Sequence, residues 1–133
     1  MRVVGCFLEY NNEFVLLKRH SHKPNGSTWG LPAGKVEPNE SDETAMMREL
    51  YEETGYQSNA LELKHLGVYD FVTPSGAVNN FVTYSVKLSG LYEVVLEDAA
   101  HSEYKWVSVV EANKMSDLIF GLHDLFKMIG YIK

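Results

Sequence analysis

The sequence predicts one α/β domain spanning residues 1–133. Three observations carry this. The 133-residue length suits one buried core and is short for two. Apolar runs with strand character lie on both sides of a strongly helical stretch, and a second helical stripe closes the chain. Hydrophobic residues at 45% and charged residues at 23% exclude the composition of a disordered chain.

The first elements come from "VVGCFLEYNNEFVLLKR", which reads as strands Val3–Glu9 and Phe14–Arg19 joined at Asn11 and Asn12, residues that tolerate a left-handed hairpin turn. "HSHKPNGSTWG" follows as a turn-rich, mildly basic surface loop. In "WGLPAGKVEPNE" two glycines and two prolines then impose a shaped loop. Ser41 is a suitable N-cap, Asp42 and Glu43 match the positive end of a helix dipole, and Gly55 supplies a stop, so a helix is expected over Asp42–Thr54. The β-rich runs "ALELKHLGVYDFV" and "NNFVTYSVKLSG" flank a loop with Pro74 and Gly76 and are expected to pair antiparallel. "YKWVSV" reads as a further strand. Ser116 then introduces a helix over Asp117–Ile129, where Leu118, Leu122, Leu125 and Ile129 recur at helical spacing, with Ile119 and Phe126 beside them. That stripe reads as core packing, and it fits a monomer or a homodimer.

Charge and cysteine usage narrow the function classes. Twelve basic against eighteen acidic residues give −6, so the surface as a whole repels nucleic acid and anionic membranes, and a polyanionic ligand needs a local cationic site. The lone Cys6 excludes an internal disulfide and a thiolate zinc site, which points to the reducing cytosol. The apolar N-terminus is too short for a membrane span and lacks the pattern of a secretory signal.

Six acids nevertheless fall between Glu40 and Glu53, where each carboxylate raises the cost of ionising the next. On a helix Glu49, Glu52 and Glu53 share one side, while Met46, Met47, Leu50, Tyr51 and Thr54 fall on another. A solvated glutamate face is one reading of this pattern, since Glu is a good helix former. An ion site is the other. It gains from Arg48, four residues before Glu52 and able to brace it, and from the shaped loop that ends at Glu40. Oxygen ligands without His or Cys suit Mg²⁺ or Mn²⁺ better than zinc, and the stretch lacks the alternating Asp and Asn ligands of a calcium EF-hand.

Gly34, Glu40, Arg48, Glu49, Leu50, Glu52, Glu53 and Gly55 fill a fixed pattern: Gly, five residues, Glu, seven residues, Arg-Glu-aliphatic-x-Glu-Glu-x-Gly, then an aliphatic residue replaced here by Tyr56. With this pattern, its strand order, the "LPAGK" stretch and the late "YKWVSV" strand, the chain resembles the MutT-like Nudix hydrolases. The resemblance implies the Nudix fold, an α/β/α sandwich with a mixed β-sheet and a loop-helix-loop catalytic motif, and cleavage of a nucleoside diphosphate linked to another moiety. It implies Glu49, Glu52 and Glu53 as ligands of Mg²⁺, with Mn²⁺ as the other hard cation, and the Gly34 carbonyl as an added ligand. Arg48 would orient a glutamate, Glu40 and Gly55 would support the motif, and Glu53 or Glu49 would be the general base. A nucleoside triphosphate or dinucleoside polyphosphate is the favoured small-molecule substrate and an ADP-sugar the alternative. From another class comes a Nudix-fold module that binds a nucleotide without cleaving it, although such modules would be expected to lack a box acid.

Outside the motif the reading stays open. Arg19, His22 and Lys23 are candidates for substrate phosphates or plain loop charges; His101 is a candidate for phosphate or base contact or a structural histidine. Trp29, Phe81 and Tyr84 are stacking candidates or core, and Trp106 is core. Similar sequences place a Glu before the late-strand histidine; here "AHSEYKW" has Ala100, leaving Glu97, Asp98 and Glu103 as candidate outside acids.

Overall fold

A computed structural model describes residues 1–97 and 99–133; the candidate Asp98 lies outside them. Asn11 and Asn12 both adopt left-handed conformations, with φ of 52° and 64°, and fold β1 (Arg2–Tyr10) back onto β2 (Glu13–Arg19). The long partner of β1 on its other edge is β6 (Val78–Lys87), parallel from Arg2↔Asn80 to Glu9↔Lys87, and β5 (Lys64–Val72) runs antiparallel outside it. With the short β3 (Trp29–Gly30) against β2, the sheet order is β3-β2-β1-β6-β5. Two strands lie off that path: β4 (Ala33–Lys35) pairs with the start of β1, and β7 (His101–Val107) pairs with β2. The parallel β1–β6 pairing among antiparallel ones makes the sheet mixed.

Alternation along the strands sends side chains to two separate cores. Val4, Cys6, Leu8, Val15, Leu17, Val82, Tyr84 and Val86 meet Ala45, Met46 and Leu50 of α1 (Asp42–Thr54) on one face. Phe7, Phe14, Leu16 and Trp29 meet Leu122, Leu125 and Phe126 of α3 (Leu122–Met128) on the other, with Ala112 of α2 (Val109–Asn113). The result is the expected α/β/α sandwich. Each fully buried Leu or Phe contributes about 1.5–3 kcal/mol, so both helical layers are held mainly by apolar burial. Among the described residues no helix is long and apolar enough to cross a membrane.

Helix α1 has the predicted bounds because both ends are fixed locally. Ser41 Oγ accepts from the Thr44 N–H at 3.1 Å, and Gly55, at φ 77°, donates its N–H to the Tyr51 carbonyl at 2.9 Å. Tyr51, expected on the buried face, is 58% exposed, since the apolar stripe centres on Met46 and Leu50. Other differences have non-local causes. The helix expected over Asp117–Ile129 begins only at Leu122, after Gly121 at φ 86°. Before it the chain runs alongside β3, where Trp29 N–H donates to the Asp117 carbonyl and Ile119 N–H to the Trp29 carbonyl. Ser108, read as part of a strand, ends it and caps α2 through a reciprocal capping box with Glu111. The start of "ALELKHLGVYDFV" is a turn, because Asn59 Oδ1 takes the N–H groups of Leu61 and Glu62.

Candidate active site

The acidic helix is organised around Arg48. Its guanidinium grips Glu40 with two hydrogen bonds, Nε to Oε2 at 2.8 Å and Nη2 to Oε1 at 2.9 Å, and reaches Glu49 Oε1 from Nη1 at 2.8 Å. It also donates to the Lys35 carbonyl at 3.1 Å and lies 3.5 Å from Glu52, the partner expected from helical spacing. Glu40 in turn accepts the Glu37 N–H at 3.0 Å, so the loop before the helix and the helix itself share one arginine. This hydrogen bonding, led by Arg48, pulls the Glu40 carboxyl down to about 2. The same contacts raise the guanidinium above its already high value, so Arg48 stays charged.

Glu53 is held differently. It is 8% exposed, and its Oε1 accepts the Ala33 N–H at 2.7 Å. Burial, with the charges of Glu49 and Glu97 adding to it, pushes its carboxyl up to about 8 against the pull of Ala33 and Arg19. Glu49 is also raised, first by burial, with Arg48 opposing. Its carboxyl lies directly over Gly34, where a Cβ would collide with it. Gly34→Ala is therefore expected to push the Glu49 carboxyl off Arg48, at a cost of about 1 kcal/mol or less in a denaturant titration, since only the far end of a flexible side chain has to move. Gly90→Ala, with open space around it, serves as the control.

Three carboxylates thus share one side of α1, Glu49 and Glu52 facing Arg48 and Glu53 facing the β4 backbone. Among the described residues no three acidic, His or Cys side chains already sit at metal-binding spacing. Arg48 Nη1 faces both Glu49, at 2.8 Å, and Glu52, at 3.5 Å, while the β4 backbone holds Glu53 through the Ala33 N–H. The donor set still fits a hard cation. Glu49, Glu52, Glu53 and the Gly34 carbonyl are all oxygen donors, and the buried Glu53 faces the further negative charge of Glu49 and Glu97.

Among the described outside acids, Glu97 is the one whose charge acts on both Glu49 and Glu53. It is brought there by a segment that returns along α1, where Val95 N–H and Tyr92 Oη both donate to the Thr54 carbonyl, at 2.9 and 3.1 Å. Glu103 instead turns to Lys18 across the β2–β7 pair, 3.5 Å away. Arg19 lies near enough to Glu53 to offset its charge, and its Nε donates to the Pro24 carbonyl at 2.8 Å. His22 stacks on His20 with ring centres 5.3 Å apart, and Lys23 lies in the turn whose N–H donates to the His20 carbonyl. His101, which the sequence left open between substrate contact and a structural role, is buried. It is 4% exposed, and burial beside Arg19 and His20 lowers it to about 4, so at neutral pH it is uncharged and offers a phosphate no cation.

Phe81 and Tyr84, paired as stacking candidates, point to opposite faces of β6. Tyr84 is 2% exposed in the core under α1, which removes it as a stacking surface. Phe81 lies on the other face, against Gly5, and lines a cavity of about 370 Å³ with Leu31, Ala33, Phe71 and Ile119. Trp29 is core with Lys105 Nζ 4.4 Å above its ring, and Trp106 packs against the core under α1. Ala33 joins cavity and acids: it lines the one and donates to Glu53 of the other. Sequence reasoning missed this strand, because three residues of "LPAGK" carry no period.

A mixed sheet between two helical layers, with a loop-helix-loop of acids clasped by one arginine beside an apolar cavity, defines the class: an α/β/α domain with an acidic loop-helix-loop motif. The NUDIX domain model matches residues 1–125, and the chain belongs to the Nudix family. It is similar to a putative 8-oxo-dGTP diphosphatase of Bacillus subtilis (strain 168), 44% identical over 71 residues, which are 52% of this chain and 44% of that protein. It is also similar to the ADPR responsive transcriptional repressor NtrR of Acinetobacter baylyi, 32% identical over 116 residues, 85% of this chain and 45% of the repressor. Among solved structures, the MutT protein from Methanosarcina mazei Go1 superposes with a TM-score of 0.86 at 27% identity, covering 98% of this chain and 93% of that one. The chain spans about half the length of the curated relatives it matches.

Proposed function

We propose that this chain is a Mg²⁺-dependent pyrophosphohydrolase that cleaves a diphosphate linkage in a nucleotide derivative. The observation that supports it most directly is the complete acidic motif set around a buried, proton-retaining Glu53 beside an apolar cavity. Glu49, Glu52, Glu53 and the Gly34 carbonyl would hold the cation. When bound, it supplies positive charge that screens the diphosphate oxygens and makes water more acidic. The protein's part is positioning and electrostatics. Arg48 fixes the direction of Glu49 and anchors the preceding loop through Glu40. Glu53 or Glu49, whichever of the two the cation leaves unligated, would accept a proton from the attacking water. Glu97 would be the outside acid that assists, and Arg19, whose charge acts on Glu53, would offer a cation to a phosphate oxygen.

The cavity beside Ala33 would take the base, with Phe81 and Phe71 as its aromatic walls. A nucleoside triphosphate or dinucleoside polyphosphate is favoured and an ADP-sugar is the alternative. The match to an ADPR responsive repressor over most of this chain keeps one other reading in play, a nucleotide-binding module without turnover. Hydrolysis of a nucleotide panel with and without Mg²⁺, with products identified by mass, separates them. Expected is phosphoanhydride cleavage that requires the cation; tight binding of a nucleotide with no cleavage across the panel would establish the module instead.

A further inference from the structure

Residues Asn79 and Asn80 are adjacent on β6 and face opposite sides of the sheet. The Asn80 amide is engaged, donating to Asp70 Oδ1 at 2.7 Å. That of Asn79 is not. Its Oδ1 is buried without a hydrogen-bond partner, and no other bond to its side chain is seen among the described residues. Such groups are rare in folded proteins because a buried, unpaired amide forfeits the hydrogen bonds it made in water.

The surroundings indicate what it is for. Asn79 lies opposite Phe71 in the β5–β6 register and shares its face with Phe81, and all three line the cavity beside Ala33. The two rings meet edge to face, 6.2 Å between centres. Among the described residues, no acidic, basic or histidine side chain lines this space. Of the other polar side chains, Thr73 is occupied by Ser75 Oγ and the Ala77 N–H, and Asn25 is exposed. A pocket with apolar and aromatic walls and one free amide recognises an uncharged, flat ligand that carries a hydrogen-bonding edge.

We propose that Asn79 is a specificity residue that hydrogen-bonds the edge of a nucleobase held in this cavity, meeting an N–H donor and an adjacent acceptor with its amide oxygen and nitrogen. The inference rests on the nucleotide reading above for the identity of the ligand. It adds the residue that reads the base and a reason for its unpaired state. An amide can pair with two adjacent base atoms at once, which ties orientation to base identity.

The test is calorimetric binding of the four common nucleoside monophosphates and of ribose 5-phosphate, which lacks a base, to wild type, Asn79→Leu and Asn79→Thr. Expected is that both variants keep the wild-type circular dichroism spectrum and bind the best monophosphate about tenfold more weakly or worse. Their ribose 5-phosphate affinity is expected to be unchanged, and their preference among bases flattened. An equal loss for ribose 5-phosphate, unchanged binding of every monophosphate, or no monophosphate binding by wild type would overturn the proposal. Binding is read without turnover, so the two readings can fail separately. A base-dependent loss in a protein that hydrolyses nothing removes the enzymatic reading alone, and full hydrolysis with unaltered base preference in both variants removes the role of Asn79 alone.

Discussion

Glu53→Gln is expected to lower turnover by about 10²–10⁴-fold, the usual contribution of a positioned general base, while making the cation-free protein more stable at neutral pH. The two effects share one cause. In the unfolded chain Glu53 ionises near the ordinary glutamate value, whereas in the fold burial holds it to about 8. Between those values the native state keeps a proton that the unfolded state has released. Its contribution is intact below pH 4.5 and is lost progressively as pH rises to 8. At pH 7 the loss is about 3 kcal/mol, taking 1.36 kcal/mol for each unit of pKa. Gln keeps an oxygen for the Ala33 N–H and never ionises. Urea titrations at pH 5, 7 and 8 should therefore show wild type weakening with pH more steeply than the variant. Mg²⁺ should restore wild type more than Glu53→Gln at the upper pH. Parallel pH profiles would remove the assignment of a buried, proton-retaining carboxyl, and full turnover by the variant would remove Glu53 from the chemistry.

Arg48→Ala is expected to have the next largest effect, about 2–3 kcal/mol of stability together with a fall in kcat. Removing the guanidinium leaves Glu40 and Glu49 without their shared counter-charge; the arginine side chain is 25% exposed, so the loss is smaller than for a fully buried pair. Arg48→Lys should recover only part of it, since an ammonium cannot make the two-pronged contact to Glu40 while reaching Glu49. The acid limb offers a second readout. Glu40 is held near 2 in the fold, so its stabilising contribution is complete above the ordinary glutamate range and fades as pH falls toward 2. Without Arg48 that contribution should disappear, and the variant should lose less of its remaining stability than wild type over the same acid range. Equal unfolding of Arg48→Ala and wild type at pH 7 would show that the arginine network does not hold the loop to the helix.

The same locality explains which parts of this molecule were readable in one dimension. The hairpin turn at Asn11 and Asn12 and both ends of α1 lie within four residues of the groups that fix them, so the sequence alone determined them. The acidic motif was equally plain, because helical geometry converts its spacing directly into one shared side. Charge partners were less so. Helical spacing pairs Arg48 with Glu52, yet the stronger partner is Glu40, eight residues back, since the loop before the helix folds over it.

Tertiary structure decided the rest, through pairing between distant segments. Docking of residues 117–119 beside Trp29 held extended a stretch that helical periodicity assigned to α3. The register of β6 against β1 and β5 sent Tyr84 beneath α1 and left Phe81 and Asn79 to the cavity, although all three are near neighbours in the chain. Only the pairing of β4 with β1 brought the Ala33 N–H to Glu53 and set the cavity next to the acids. Caps and helical spacing act over one or two turns and leave a pattern in the sequence. Sheet register and buried desolvation depend on what lies across the fold, and composition does not record that.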